Sequence, residues 1–115
     1  MKRTVFCLAA FAAILTLSNC HSSKKAMASA PAVSYDNGVQ AIISANCAPC
    51  HIPSKGGNKL PLDTYTAVKG NVDEILSRIK LNPGERGFMP KNHAKLSDST
   101  IAVIEQWKMG GAIEK

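Results

Sequence analysis

Residues 47–51 read Cys47-Ala48-Pro49-Cys50-His51, and no other stretch of this chain restricts its fold as strongly. Two thiols three positions apart, followed at once by an imidazole, form the CxxCH pattern of covalent c-type haem attachment. The spacing has a physical reason: the cysteines reach the two vinyl groups on one edge of a porphyrin, and the next residue presents its imidazole to the iron. A chain that takes this group must be built around a flat apolar disc. Three other chemistries compete. A redox dithiol of the thioredoxin kind belongs beside a βαβ pattern, and no strand pattern is visible. Half of a zinc site needs further ligands, yet no cysteine follows Cys50, and beyond residue 34 the only histidines are His51 and His93. A disulfide across two residues closes a very small loop and stabilises little. Haem attachment is the leading reading.

The N-terminus says where the chain goes. Lys2 and Arg3 precede an apolar run over residues 5–17, which ends at Ser18-Asn19-Cys20. A charged start, an apolar stretch and small residues at its end make a secretory signal. The apolar run is short of the roughly 20 residues that a membrane-spanning helix needs. Leu17-Ser18-Asn19-Cys20 resembles the lipobox of bacterial lipoproteins, whose cysteine is lipidated and becomes the mature N-terminus. Asn19 departs from it, since Gly, Ala or Ser usually stands there. The expected division is a signal peptide over residues 1–19, a lipidated Cys20 with a flexible linker to residue 34, and a folded domain over residues 35–115. Simple secretion is the alternative.

The cysteines then close without remainder. Of the four, Cys7 leaves with the signal, Cys20 takes lipid, and Cys47 and Cys50 take haem, so no thiol is left unassigned outside the cytoplasm. The linker is rich in Ser, Ala and Lys and has a mean reach of roughly 20 Å as a coil. The formal charge of +6 shrinks in the same way. Lys2 and Arg3 go with the signal and Lys24 and Lys25 belong to the linker, which leaves +2 on residues 35–115. Two ionised propionates would bring that near zero. Such a balance gives no reason to expect a nucleic-acid partner.

About 80 residues make a thin core when protein is the only apolar material, so a stable fold without the disc is not expected. Periodicity predicts helices and no strands. Residues 35–46 carry Val39, Ile42 and Ile43 at helical spacing and lead straight into Cys47. Residues 52–62, with Pro53, Gly56, Gly57 and Pro61, read as a loop. A short helix is expected over residues 65–69, capped by Asp63 and ended by Gly70. Asn71 can cap the next, whose Val72, Ile75, Leu76 and Ile79 share one face. The last helix has Ser97 as cap, Ile101, Ile104 and Trp107 as its apolar stripe, and Gly110-Gly111 as its stop.

This order, with CAPCH at residues 47–51, Phe88-Met89-Pro90 and LSDSTIAVIEQWKMGGA over residues 96–112, resembles a small bacterial class I monohaem cytochrome c. The resemblance covers residues 35–111. It implies an all-α cytochrome c fold, with N- and C-terminal helices crossing and short helices and loops wrapped around one covalent haem c. It also implies His51 as the proximal iron ligand and Met89 as the distal one. The residues themselves favour Met89 as well, because it lies in a Gly- and Pro-rich loop able to reach the opposite iron face. His93 in the same loop is its rival; Met109, beside a helix end, and Met27, in the linker, compete less well. The family usually carries a small residue eight positions before the first haem cysteine, where Val39 stands here with Gly38 beside it. Tyr65 and Trp107 could meet haem edges or propionates, or could simply pack. Arg78, Lys80 and Arg86 could pair with propionates. The backbone partner of the His51 ring is expected near Pro53 or Pro61.

The expected function is one-electron transfer between a redox protein donor and acceptor, with no enzymatic activity. The carrier would be a monomer, exported and held by its lipid on the periplasmic or cell-surface side of a membrane, or, as the alternative, soluble in the periplasm. Two other readings stand beside it: a haem-based sensor or small-ligand binder, and an electron-entry subunit of a larger oxidoreductase complex.

Overall fold

The computed structural model describes residues 32–115. The expected signal peptide, Cys7, Cys20, Met27 and nearly all of the linker lie outside the described residues. Within them the architecture is all-α, with no strand. A wide π-type turn, Tyr35–Val39, runs directly into helix α1, Gln40–Asn46. Helices α2, Tyr65–Gly70, α3, Val72–Ile79, and α4, Asp98–Met109, follow in chain order, with one 3-10 turn, Pro53–Lys55, in the loop after α1. No helix among the described residues is long and apolar enough to cross a membrane.

The first helix begins in a reciprocal cap. Ser34 Oγ accepts from the Asn37 backbone N–H at 3.2 Å, and Asn37 Oδ1 accepts from that of Ser34 at 2.8 Å, so two otherwise orphaned donors are satisfied together. Ser34, which composition groups with the linker, is buried at the mouth of this helix. Its next turn brings Gly38, rather than Val39, up to α4: a Cβ on Gly38 would lie 3.5 Å from Val103 Cγ1 and 3.3 Å from Val33 Cγ1. Val39 itself is wholly buried. The close approach for which Val39 looks too large is thus met by the smaller residue beside it.

Helix α4 follows its sequence signals closely. Ser97 Oγ accepts from Thr100 N–H at 3.2 Å, Ile101, Ile104 and Trp107 are buried, and Gly111 turns the chain at φ +89°. Beyond it the tail returns to the start of the domain. The Ile113 carbonyl accepts from Trp107 Nε1 at 2.7 Å and from Tyr35 N–H at 3.0 Å, and the Glu114 carbonyl accepts from Asp36 N–H at 3.0 Å. The first-turn donors of one terminal helix are therefore answered by carbonyls that follow the other. The rings of Tyr35, Tyr65 and Trp107 gather at this seam with centroids 5.7 to 6.4 Å apart, and Tyr65 Oη donates to the Ala112 carbonyl at 2.9 Å.

Two capping expectations change. Helix α2 is capped by Thr64, not Asp63: Thr64 Oγ1 accepts from Ala67 N–H at 3.2 Å. Asn71 makes no side-chain cap for α3; its Nδ2 instead donates backward to the Ala67 carbonyl at 2.8 Å and closes α2. Val72, Ile75, Leu76 and Ile79 of α3 are all buried, as their spacing predicts. Two ion pairs, Lys80 with Glu105 and Lys108 with Asp73, link α3 and its end to α4. Both are largely solvated and each contributes at most about 1 kcal/mol.

Burial pushes the Tyr35 hydroxyl pKa up, and the carboxylates of Asp63 and Asp36 add to the rise. The folded state thus holds this proton more tightly than the unfolded chain, so its stability is fully present below about pH 10 and falls as pH rises above that value. Tyr35→Phe should remove this part of the alkaline loss. Urea unfolding of both proteins between about pH 9 and about pH 12 would then show a shallower decline for the variant.

Candidate haem-binding site

The described residues enclose a cavity of about 430 Å³, within the size range of small-molecule and cofactor pockets. Ile42 and Ile43 of α1, Ile75 and Ile79 of α3, and Leu96 and Ile104 supply apolar wall. Charged side chains also line it, among them Lys59, Glu74 and Lys91, all three exposed, so they stand where it meets solvent. Cys47, Cys50, His51 and Met89 line this same cavity although Met89 is far from the others along the chain.

The attachment turn is held by the loop that follows it. Cys47 N–H donates to the Ile43 carbonyl at 2.8 Å, so α1 delivers the first thiol directly. Lys59 N–H then donates to the Cys50 carbonyl at 3.0 Å and Leu62 N–H to the His51 carbonyl at 2.8 Å, which folds residues 52–62 back over the turn. Gly57 makes this approach possible. A Cβ there would fall 2.3 Å from the Pro49 oxygen, 2.6 Å from the Cys50 oxygen and 2.8 Å from the Ile52 nitrogen, all backbone atoms. Sequence reasoning sees only a Gly-rich loop at this point; Gly56-Gly57 just after CxxCH is the signal that could have marked the contact.

The same loop aims the imidazole. His51 Nδ1 lies 2.7 Å from the Leu60 carbonyl, the one preceding Pro61. A carbonyl can only accept, so Nδ1 carries the proton, which in the neutral ring leaves the lone pair on Nε2, on a ring that lines the cavity. That is the tautomer and support a metal-ligating histidine requires.

The thiols are not bonded to each other. Burial pushes the Cys47 thiol up to about 11. A dithiol redox centre depends on a thiol depressed below its ordinary value, and burial does the opposite to Cys47. Nor do three or more His, Cys, Asp or Glu side chains converge as a metal site among the described residues. A largely apolar cavity with two thiols and an oriented imidazole at its wall has residues that fit a covalently held haem, which Cys47, Cys50 and His51 would hold.

Met89 is half-buried and its backbone N–H donates to the Arg78 carbonyl at 3.3 Å. His93 lines the cavity too but is exposed. Met109 is 78% exposed and takes no part in the wall. Tyr65 and Trp107 are absent from the lining and belong to the seam between the terminal helices. Of the three candidate propionate partners only Arg78 lines the cavity, where it pairs with Glu74; Lys80 pairs with Glu105 instead.

Because its obstructing neighbours are backbone atoms that cannot swing away, Gly57→Ala should cost about 1–3 kcal/mol, read as a lower denaturation midpoint. Gly70→Ala, with nothing within 4 Å of the added carbon, should not. Comparison of the chain with protein-family models, curated proteins and solved structures finds no match, so the reading of this site rests on its own residues and geometry.

Proposed function

We propose that this chain is an exported monohaem cytochrome c with the cytochrome c fold, a one-electron carrier tethered to a membrane through lipidated Cys20. The observation that carries the proposal is the meeting of Cys47, Cys50, His51 and Met89 around one apolar cavity. The docking of the first and last helices at Gly38 and Val103 supports the same fold.

Bound haem would supply the Fe(II)/Fe(III) couple, and His and Met as axial donors place its potential high relative to stronger donors. Everything else is work for the chain. Cys47 and Cys50 hold the porphyrin edge covalently, so the group is retained through every cycle. His51, oriented by the Leu60 carbonyl, would hold the iron through Nε2, and Met89 would hold it through its thioether sulfur. With both faces taken by the protein, a substrate could bind only by displacing one ligand, which disfavours catalysis. The isoleucine walls exclude water and disfavour the more highly charged oxidised state, which also raises the potential. Such a one-electron step would need no substrate site, which suits transfer between redox protein partners.

The oxidised protein should display the weak absorption band near the red edge that marks iron bonded to methionine sulfur. Met89→Ala should abolish it and lower the potential by a fraction of the roughly 0.8 V that axial ligation spans. A wild-type protein without this band at neutral pH would instead favour the small-ligand sensor. Cys20→Ser should move the protein from the membrane fraction to the soluble one with its visible spectrum unchanged, since one acyl chain alone gives only marginal attachment and several give lasting attachment. An intact native mass lacking acyl chains would remove the tether and leave the haem assignment standing.

A further inference from the structure

We propose that Arg78 is a positioning residue that clamps the Met89 loop to α3, and so fixes Met89 rather than His93 at the distal face; this rests on the His51/Met89 reading above. Between Ile79 and Asp98 the chain runs without regular secondary structure, a length at which loops in compact domains are uncommon and usually functional. A ligand carried on such a loop needs fixed points. Arg78, in the last turn of α3, provides two of them.

Its carbonyl accepts from Met89 N–H at 3.3 Å, and its Nη1 donates to the Gly87 carbonyl at 3.4 Å. The backbone is thus held on both sides of Phe88. The guanidinium is itself aimed by Glu74, one turn earlier on α3 and also at the cavity wall: Nε and Nη2 donate to Glu74 Oε1 at 2.6 and 2.5 Å. Gly87 completes the fit. It adopts φ +97°, and a Cβ there would fall 2.9 Å from Arg78 Nη1.

The fork of donors matters more than the charge. A lysine could pair with Glu74 but could not also reach Gly87 in a fixed plane. Nor is the Arg78–Glu74 pair a strong stabiliser, since its side chains are 43% and 55% exposed and such pairs contribute little. Its effect is directional. Releasing the loop would lower the occupancy of Met89 at the iron and open that face to His93, four residues further on and lining the same cavity.

The test is displacement of Met89 by added imidazole in the oxidised full-length protein at pH 7, followed by loss of the red-edge band, with thermal unfolding measured alongside. Loss of a hydrogen bond from a charged donor should raise the apparent imidazole affinity of Arg78→Gln about tenfold. Arg78→Lys should stay closer to Arg78→Gln than to wild type. Lys80→Gln, which breaks the ion pair to Glu105 and leaves both bonds that hold the 87–89 backbone in place, should leave the affinity unchanged. The clamp is overturned if Arg78→Lys restores wild-type affinity, or if Lys80→Gln raises it as much as Arg78→Gln does. An Arg78→Gln protein with a lower unfolding temperature or a shifted potential but unchanged imidazole affinity also overturns it, the guanidinium then serving packing or a propionate. Should Arg78→Gln fail to fold, Arg78→Lys alone decides: unchanged affinity overturns the clamp, increased affinity supports it. A wild-type protein with no red-edge band defeats the underlying ligand assignment, and that failure is visible before any variant is made.

Discussion

The domain hangs on the docking of its first helix against its last. Gly38 lets the two approach at Val103, Trp107 fills the space between them, and the Ile113 carbonyl takes one hydrogen bond from the Trp107 ring and another from the Tyr35 backbone. Three aromatic rings cluster there, which is most of the aromatic surface the described residues have. With this seam closed, Ile43 of α1 and Ile104 of α4 are presented to the cavity, and the attachment turn begins where α1 stops.

The rest of the core is arranged around that space. A domain of this size has little apolar material to spare, and Ile42, Ile75 and Ile79 pack in or against its core while also turning surface toward the cavity. The porphyrin proposed above would bring its own apolar surface against these side chains.

Much of the helical framework was legible in the residues. The Ile101, Ile104 and Trp107 stripe, the Ser97 cap and the Gly110-Gly111 stop define α4 almost completely, and the Val72, Ile75, Leu76 and Ile79 face defines α3. Caps were harder where two candidates are adjacent: Asp63 and Thr64 have similar intrinsic merit, and tertiary geometry chose the threonine. Asn71 stands between two helices and can serve either, so its backward bond to Ala67 could not be read from order alone. In the candidate site, side chains were legible and backbone groups were not. CAPCH named Cys47, Cys50 and His51, and Phe88-Met89-Pro90 named Met89, but the Leu60 carbonyl, the Gly57 contact and the grip of Arg78 on the 87–89 backbone depend on where loops cross. A carbonyl carries no residue-type signature. Tyr65 and Trp107 show the same limit: an aromatic ring fits a cofactor edge or a helix seam equally well until the seam itself is seen.

The Ile113 carbonyl has one further consequence, for the order of events at synthesis. Hydrogen bonds from Tyr35 and Asp36 reach forward nearly the whole length of the domain to residues 113 and 114. A chain emerging in sequence from a ribosome cannot make these two bonds until residues 113 and 114 are clear. The CxxCH turn emerges long before that, in a chain whose ends have not yet met. Covalent modification of Cys47 and Cys50 would therefore find an open, accessible segment, and closure of the two termini would come afterwards, as the step that shuts the cavity.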